Sequence, residues 1–271
     1  LLRGRFQINL RNHRKILVVD GRVGFTGGMN ITDECVDLPG RGVLADDHHF
    51  EVAGPVCLQL SAAFAEDWYY ACGEKLADRL YFPDWEVAGD AVCRIVPSGP
   101  DGDRGIFHHV VLAAVHSARE RVQIVTPYFL PDESLQVALV LAALRGVRVE
   151  VVVPEQPDHP FVGWAMGAFI DEQVAAGVRI LRRPAPFLHS KLLAVDGQWA
   201  LVGSGNLDAR SFWLNYELCL SVVGEEAVAS IVAAIDAEIA RSELVDPERW
   251  KERRVLRRAW ENFWALWSPM L

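Results

Sequence analysis

HRKILVVDG at residues 13–21 recurs 176 positions later as HSKLLAVDG at residues 189–197, so that His13, Lys15 and Asp20 match His189, Lys191 and Asp196. The register holds beyond the aspartates: Gly27 matches Gly203 and Asn30 matches Asn206. An internal repeat of this kind sets the frame for every local reading. Two histidines and two lysines from two copies of one motif point to a single shared site for handling phosphate.

Alternation along a strand puts residues i and i+2 on one face, so His13 and Lys15 point the same way, as do His189 and Lys191. Asp-Gly between two apolar runs, Ile16–Val19 and Val23–Thr26 in one copy and Leu192–Val195 and Trp199–Val202 in the other, predicts a tight hairpin. The glycines that follow, Gly27-Gly28 and Gly203-Ser204-Gly205, are turn residues that also let backbone N–H groups approach an anion.

Between the two motifs apolar runs alternate with helix-like stretches. Strands are predicted over Val92–Val96, Val122–Thr126, Val147–Val153 and Val178–Leu181, and helices over Phe107–Ala118, Glu133–Leu144 and Pro160–Ala176. The class is therefore α/β, a mixed sheet flanked by helices. If the second copy opens near Asp90, about 99 residues precede His189 against 12 before His13, and roughly 87 residues of an equivalent first half are absent. With Leu1 rather than Met at the start, the expected organisation is a first lobe truncated at its N-terminus (1–89), a second lobe (90–247) and a tail (248–271).

These residues resemble the phospholipase D superfamily, whose mark is a duplicated His-x-Lys-x4-Asp with a downstream Gly-x-x-Asn. Within it the chain resembles bacterial cardiolipin synthases, through residues 13–31, FAEDWYYACGE at 64–74, TPYFLPDE at 126–133 and residues 187–218. The resemblance implies two phospholipase D-like lobes sharing one site. It also implies that each histidine is oriented by a carboxylate from its own half: Glu217 for His189, and Asp47 for His13 with Asp46 as the rival.

Cleaving a phosphodiester without a metal needs a nucleophile for phosphorus, an acid for the leaving oxygen, and positive charge around the non-bridging oxygens. His13 is assigned as the nucleophile that forms a phosphohistidine and His189 as the acid that becomes the base, an order the near-symmetry of the repeat also allows to be reversed. Lys15, Lys191, Asn30 and Asn206 would hold the phosphoryl oxygens, with Ser204 behind them. Asp20 and Asp196 enter the catalytic set as motif members, although an Asp-Gly turn favours a structural carboxylate. His48, His49, His108, His109, His116 and His159 show no ligand spacing with cysteines or acids, so neither metal nor other cofactor is expected.

The function implied is a phosphatidyltransferase that makes cardiolipin and glycerol from two phosphatidylglycerol molecules. The alternatives are a phospholipase D that yields phosphatidate and a non-catalytic membrane-binding fragment. A net charge of −9 argues against a nucleic-acid partner. The odd set Cys35, Cys57, Cys72, Cys93 and Cys219 fits a reducing compartment. No apolar run reaches transmembrane length, and the resemblance implies a bacterial inner-membrane location with the catalytic part on the cytoplasmic side.

The tail stands apart. Arg249, Lys251, Arg253, Arg254, Arg257 and Arg258 lead into Trp260, Phe263, Trp264 and Trp267. That composition suits a helix lying on an anionic membrane surface, or a helix docked on its own domain with its arginines in solvent. Phe64, Trp68, Tyr69 and Tyr70 are expected to be packing residues of a helix.

Overall fold

The computed structural model describes residues 10–40, 42–101 and 105–270. Leu1, the rest of residues 1–9 and Leu271 of the expected domains lie outside the described residues. The chain runs β1 (Ile16–Val19), β2 (Val23–Gly27), β3 (Ala45–Asp46), β4 (His49–Ala53), α1 (Val56–Cys72), β5 (Val92–Ser98), α2 (Ile106–Ser117), β6 (Arg121–Val125), β7 (Phe129–Leu130) and α3 (Glu133–Leu144). It continues through β8 (Arg148–Pro154), α4 (Pro160–Ala175), β9 (Arg179–Arg183), β10 (Phe187–Leu188), β11 (Leu192–Val195), β12 (Trp199–Gly203), β13 (Leu207–Asp208) and α5 (Ala209–Trp213). The last elements are β14 (Glu217–Val223), α6 (Glu225–Ala240), β15 (Glu243–Leu244), α7 (Pro247–Lys251) and α8 (Val255–Ala265).

An eight-stranded mixed sheet, in the order β15-β9-β8-β6-β11-β12-β14-β5, forms the centre. Its central strands are buried on both faces, which is why β8 is a nearly continuous apolar run rather than an alternating one. Val149, Val151 and Val153 pack with Phe107, Leu139 and Ile170 from α2, α3 and α4. Val152 on the other face joins Leu60 of α1 and Ile231 and Ile235 of α6. A three-stranded sheet β1-β2-β4 shares this second layer through Ile16, Val18, Phe50 and Val52.

The two hairpins have the same backbone. Asp20 and Gly21 have φ of 53° and 63°, Asp196 and Gly197 of 53° and 64°, and Arg22 and Gln198 donate back to Val19 and Val195 at 3.0 Å. Left-handed conformations at both central positions are what a type I′ turn requires. The copies differ outside the hairpins: β11 pairs with β6 on its outer edge, whereas among the described residues the outer edge of β1 carries no strand.

The predicted helices and strands between the motifs fall where they were expected, within a residue or two. One expectation is corrected. α1 is a helix, but Phe64, Trp68, Tyr69 and Tyr70 are on its exposed side; Val56, Cys57, Leu60 and Ala63 pack instead. Leu60 reaches the small sheet because Gly24 leaves it room, a Cβ there falling 2.5 Å from the Leu60 methyl.

Candidate active site

Each histidine sits just before its strand, where the chain crosses to the other copy of the repeat. β10 pairs in parallel with β3, Leu188 opposite Asp46, and His189 N–H donates to the Asp46 carbonyl at 2.8 Å. In the mirror arrangement Asn12 bridges Tyr216 in parallel, and His13 N–H donates to the Tyr216 carbonyl at 2.8 Å. Parallel neighbours present side chains to the same face. The residue after each bridge therefore meets its counterpart: His189 meets Asp47, and His13 meets Glu217.

The distances follow this register. His189 Nδ1 lies 2.6 Å from Asp47 Oδ2, and His13 Nδ1 lies 3.4 Å from Glu217 Oε1. The expected pairing within each half is therefore exchanged, with each carboxylate serving the histidine of the other copy. Strand register also identifies the carboxylates as equivalents. Gly27 is opposite His49 in β2–β4 and Gly203 opposite Cys219 in β12–β14, which makes Asp47 the counterpart of Glu217. Asp46 is removed as a rival, since its carboxylate binds Arg183 at 3.1 Å and Arg241 at 3.2 Å.

Both carboxylates are fully buried as side chains. Glu217 accepts from Ser204 Oγ at 2.6 Å, Ser211 Oγ at 3.1 Å and Asn215 Nδ2 at 3.2 Å. Ser204, expected behind the phosphate, is thus an anchor of Glu217. At the matching position Gly28 leaves space that Asp47 fills, for a Cβ there would stand 2.4 Å from Asp47 Oδ1.

The lysines stay on the site face while the residues between them turn away. Arg14 donates to Asp67 at 2.9 Å, and Ser190 Oγ is 2.8 Å from His48 Nδ1. Lys15 Nζ donates to the His13 carbonyl at 2.7 Å, and Lys191 Nζ does the same to the His189 carbonyl. Burial drives the Lys191 ammonium down to about 8, against the pull of Asp47 and Glu217. Lys15 is lowered by burial too, though Glu217 and Asp47 oppose it. His189 is lowered by burial first and by the Lys191 charge second, against its hydrogen bond to Asp47. Charges from both copies act on one another here, so the duplicated residues form one site.

The asparagines do not match. Asn206 is buried and its Oδ1 has no hydrogen-bond partner among the described residues, while Asn30 is exposed. Asp20 and Asp196 are also corrected. Both lie at the far ends of their strands, and Asp196 accepts backbone N–H groups of Arg119, Glu120 and Arg121 at 2.9, 2.8 and 2.8 Å. A carboxylate so occupied closes a loop and does no chemistry at His189. Sequence reasoning missed Asp208, which is buried beside Glu217, has its carboxyl pushed up by burial, and caps α5 by accepting from Ser211 N–H at 2.7 Å. An Asp-x-x-Ser at a helix start was the available signal.

Chemically, a carboxylate at Nδ1 holds the proton there and leaves Nε2 of each imidazole to act. Two such imidazoles beside two lysines suit a nucleophile and an acid working on one phosphodiester. Residues 111–239 match the family described as cardiolipin synthase, PLD-like domain. The chain belongs to the phospholipase D superfamily. It is 38% identical over 267 residues to cardiolipin synthase A of Pseudomonas fluorescens, an alignment covering 98% of this chain and 55% of that protein. A Pseudomonas aeruginosa cardiolipin synthase A is 39% identical, over 98% of this chain and 54% of its own length. The chain thus spans about half the length of these curated relatives. The crystal structure titled phosphatidylserine synthase from Haemophilus influenzae shares the fold, with a TM-score of 0.71 at 15% identity, over 98% of this chain and 72% of that one. Among the described residues no helix is long and apolar enough to cross a membrane, and no group of three or more histidine, cysteine or acidic side chains could hold a metal ion.

Proposed function

We propose that this chain carries the site of a phosphatidyltransferase that makes cardiolipin and glycerol from two phosphatidylglycerol molecules. The observation that carries the reading is the crossed pairing of His13 with Glu217 and His189 with Asp47, which turns the two motifs into one two-histidine site. Similarity to cardiolipin synthase A over nearly the whole chain supports the lipid substrate.

In the first step His13 Nε2 forms a bond to phosphorus as the bond to glycerol oxygen breaks, and His189 gives that oxygen its proton. The phosphatidyl group is then held on His13. In the second step neutral His189 takes the proton of a hydroxyl of the second phosphatidylglycerol, whose oxygen bonds to phosphorus as His13 is released. Asp47, hydrogen-bonded to His189, stabilises the charged ring between these transfers. Lys15, Lys191 and Asn206 face the charge on the phosphoryl oxygens. Water in place of the second hydroxyl would give phosphatidate, so acceptor access separates transferase from hydrolase. On this reading the protein works at a bacterial inner membrane, with this site toward the cytoplasm.

Labelled phosphatidylglycerol in mixed micelles, with products resolved by mass, tests the reading. Cardiolipin and glycerol are expected from the unaltered chain and neither from His13→Ala or His189→Ala. Phosphatidate alone would make the protein a hydrolase, and turnover surviving both substitutions would remove the site.

A further inference from the structure

α8 is inside out. A helix on the surface of a protein in water buries its apolar stripe and exposes its charges. Within α8 the one fully buried residue is Glu261, 2% exposed, while Leu256 is 83% exposed and Val255, Trp260 and Phe263 also face outward. Leu266 at 79% and Trp267 continue the same face.

The buried face is an ion cluster against α4. Glu261 pairs with Arg253 and Arg257, each at 2.9 Å, and seats over Gly167, where a Cβ would fall 2.6 Å from its carboxyl carbon. Asp171 of α4 holds Arg253, Arg258 at 3.5 Å and the Trp250 indole N–H at 2.6 Å. The arginines are therefore neither all in solvent nor all free for headgroups. They bolt the helix down with its apolar side outward. Trp264 closes the seam against Phe161 and Trp164, at ring separations of 5.8 and 5.9 Å, and Trp164 extends the aromatic surface onto α4.

The position of this surface matters as much as its composition. α4 begins just after the end of β8, and the end of β6, the neighbour of β8, pairs with the start of β11, next to Lys191. Tyr128, between β6 and β7, is tied at 2.8 Å to Asp158 just before α4. Beyond α8, the Met270 carbonyl accepts from Arg210 of α5 at 3.4 Å, a short way after Asn206. The aromatic ledge thus flanks the same end of the sheet as the two histidines.

We propose that α8, Trp164 and Trp267 form a preformed ledge that inserts into the interface of a phospholipid bilayer and brings the mouth of the histidine site to the lipid headgroups. Tryptophans with exposed Leu and Phe beside them are the residues that gain by entering that interface. Exposed Arg254, with Arg257 and Arg258 half in solvent, favours anionic headgroups locally. Because the whole chain is at −9, insertion and not long-range attraction holds the ledge, so binding survives added salt better than a polybasic contact would. The inference rests on the lipid reading of the site, but its test does not need turnover.

The test compares the unaltered chain with Leu256→Glu/Leu266→Glu, which alters two side chains that pack against almost nothing. Both are spun with vesicles of phosphatidylcholine and phosphatidylglycerol, and thermal melting confirms that the variant is folded. The variant should lose about tenfold or more in partitioning, as apolar insertion is exchanged for charge. Brominated acyl chains should quench tryptophan fluorescence in the unaltered chain and much less in Trp260→Phe/Trp267→Phe. Turnover of a short-chain, monomeric phosphatidylglycerol should be equal in the unaltered chain and the Glu variant. Equal vesicle binding by both, or quenching indifferent to Trp260 and Trp267, overturns the ledge even if the transferase reading stands. A Glu variant that changes a dimer to a monomer without changing vesicle binding overturns it in favour of a second copy as the occupant. Vesicle binding lost in the variant with no turnover in any protein leaves the ledge standing and sinks the transferase reading instead.

Discussion

His189 and Asp47 are 2.6 Å apart although they come from different copies of the repeat, 142 positions away in the chain. The hydrogen bond opposes the burial that lowers the His189 pKa. Asp47→Asn should therefore lower the pKa of His189 further, as followed by its ring resonances across a pH titration. Turnover should fall roughly a hundredfold or more, since the tautomer and the charged ring both lose their support. A His189 pKa unmoved by the substitution would contradict the pairing across the two copies.

Lys191 makes activity and stability respond oppositely to alkali. Its ammonium, with a pKa near 8 in the folded chain, should lose its proton as pH rises through that value, and phosphate binding weakens with it. The unfolded chain keeps the proton up to the ordinary lysine range, so it binds more protons than the folded chain between the two values. Folding stability from this group thus rises over that window. Lys191→Met should remove both trends: the difference in melting temperature between variant and unaltered chain shrinks from pH 8 upward, and the activity left has no alkaline limb. A difference that grows with pH would contradict the depressed pKa.

The hairpins, the α/β alternation and the membership of His13, Lys15, His189 and Lys191 were legible because each rests on local periodicity or on the repeat. The crossed carboxylates were not legible, because the parallel contacts Leu188–Asp46 and Asn12–Tyr216 join segments with no sequence relation. α8 shows the same limit. Its amphipathic spacing is plain in the sequence, yet spacing gives no sign of which face turns inward, and only the Glu261–Arg253–Gly167 fit decides that. Phe64 and Trp68 were misplaced for a related reason, since large aromatics were taken to be inside while Gly24 offers its space to Leu60.

Asp196 should matter for folding and hardly for chemistry. Burial raises its pKa, but the hydrogen bonds from Arg121, Glu120 and Arg119 more than offset this and hold it below the usual carboxylate range. The stabilisation is present above the unfolded pKa and is lost as pH falls through the folded one. Asp196→Ala should cost about 1–3 kcal/mol in denaturant melts at neutral pH, less in acid, with kcat at a permissive temperature nearly unchanged. Asp20→Ala, at an exposed turn, should cost less. A kcat loss matching that of His189→Ala would return Asp196 to the catalytic set.

Ser204 separates anchoring of Glu217 from binding of phosphate. Its hydroxyl donates to Glu217 at 2.6 Å, lies 3.4 Å from the Leu218 carbonyl and accepts from Leu218 N–H at 3.0 Å, so its bonds point into the protein. Ser204→Ala leaves a buried carboxylate short of a donor and should cost about 1–3 kcal/mol of stability. Glu217 would then hold His13 less well, so kcat should fall about tenfold while KM changes little. Asn206→Ala should do the reverse, raising KM, with a stability cost confined to its hydrogen bond with Asp208, because its Oδ1 has no protein partner to lose. If Ser204→Ala raises KM and leaves stability alone, the hydroxyl faces the phosphate after all, and the hydrogen bond to Glu217 is not what fixes it.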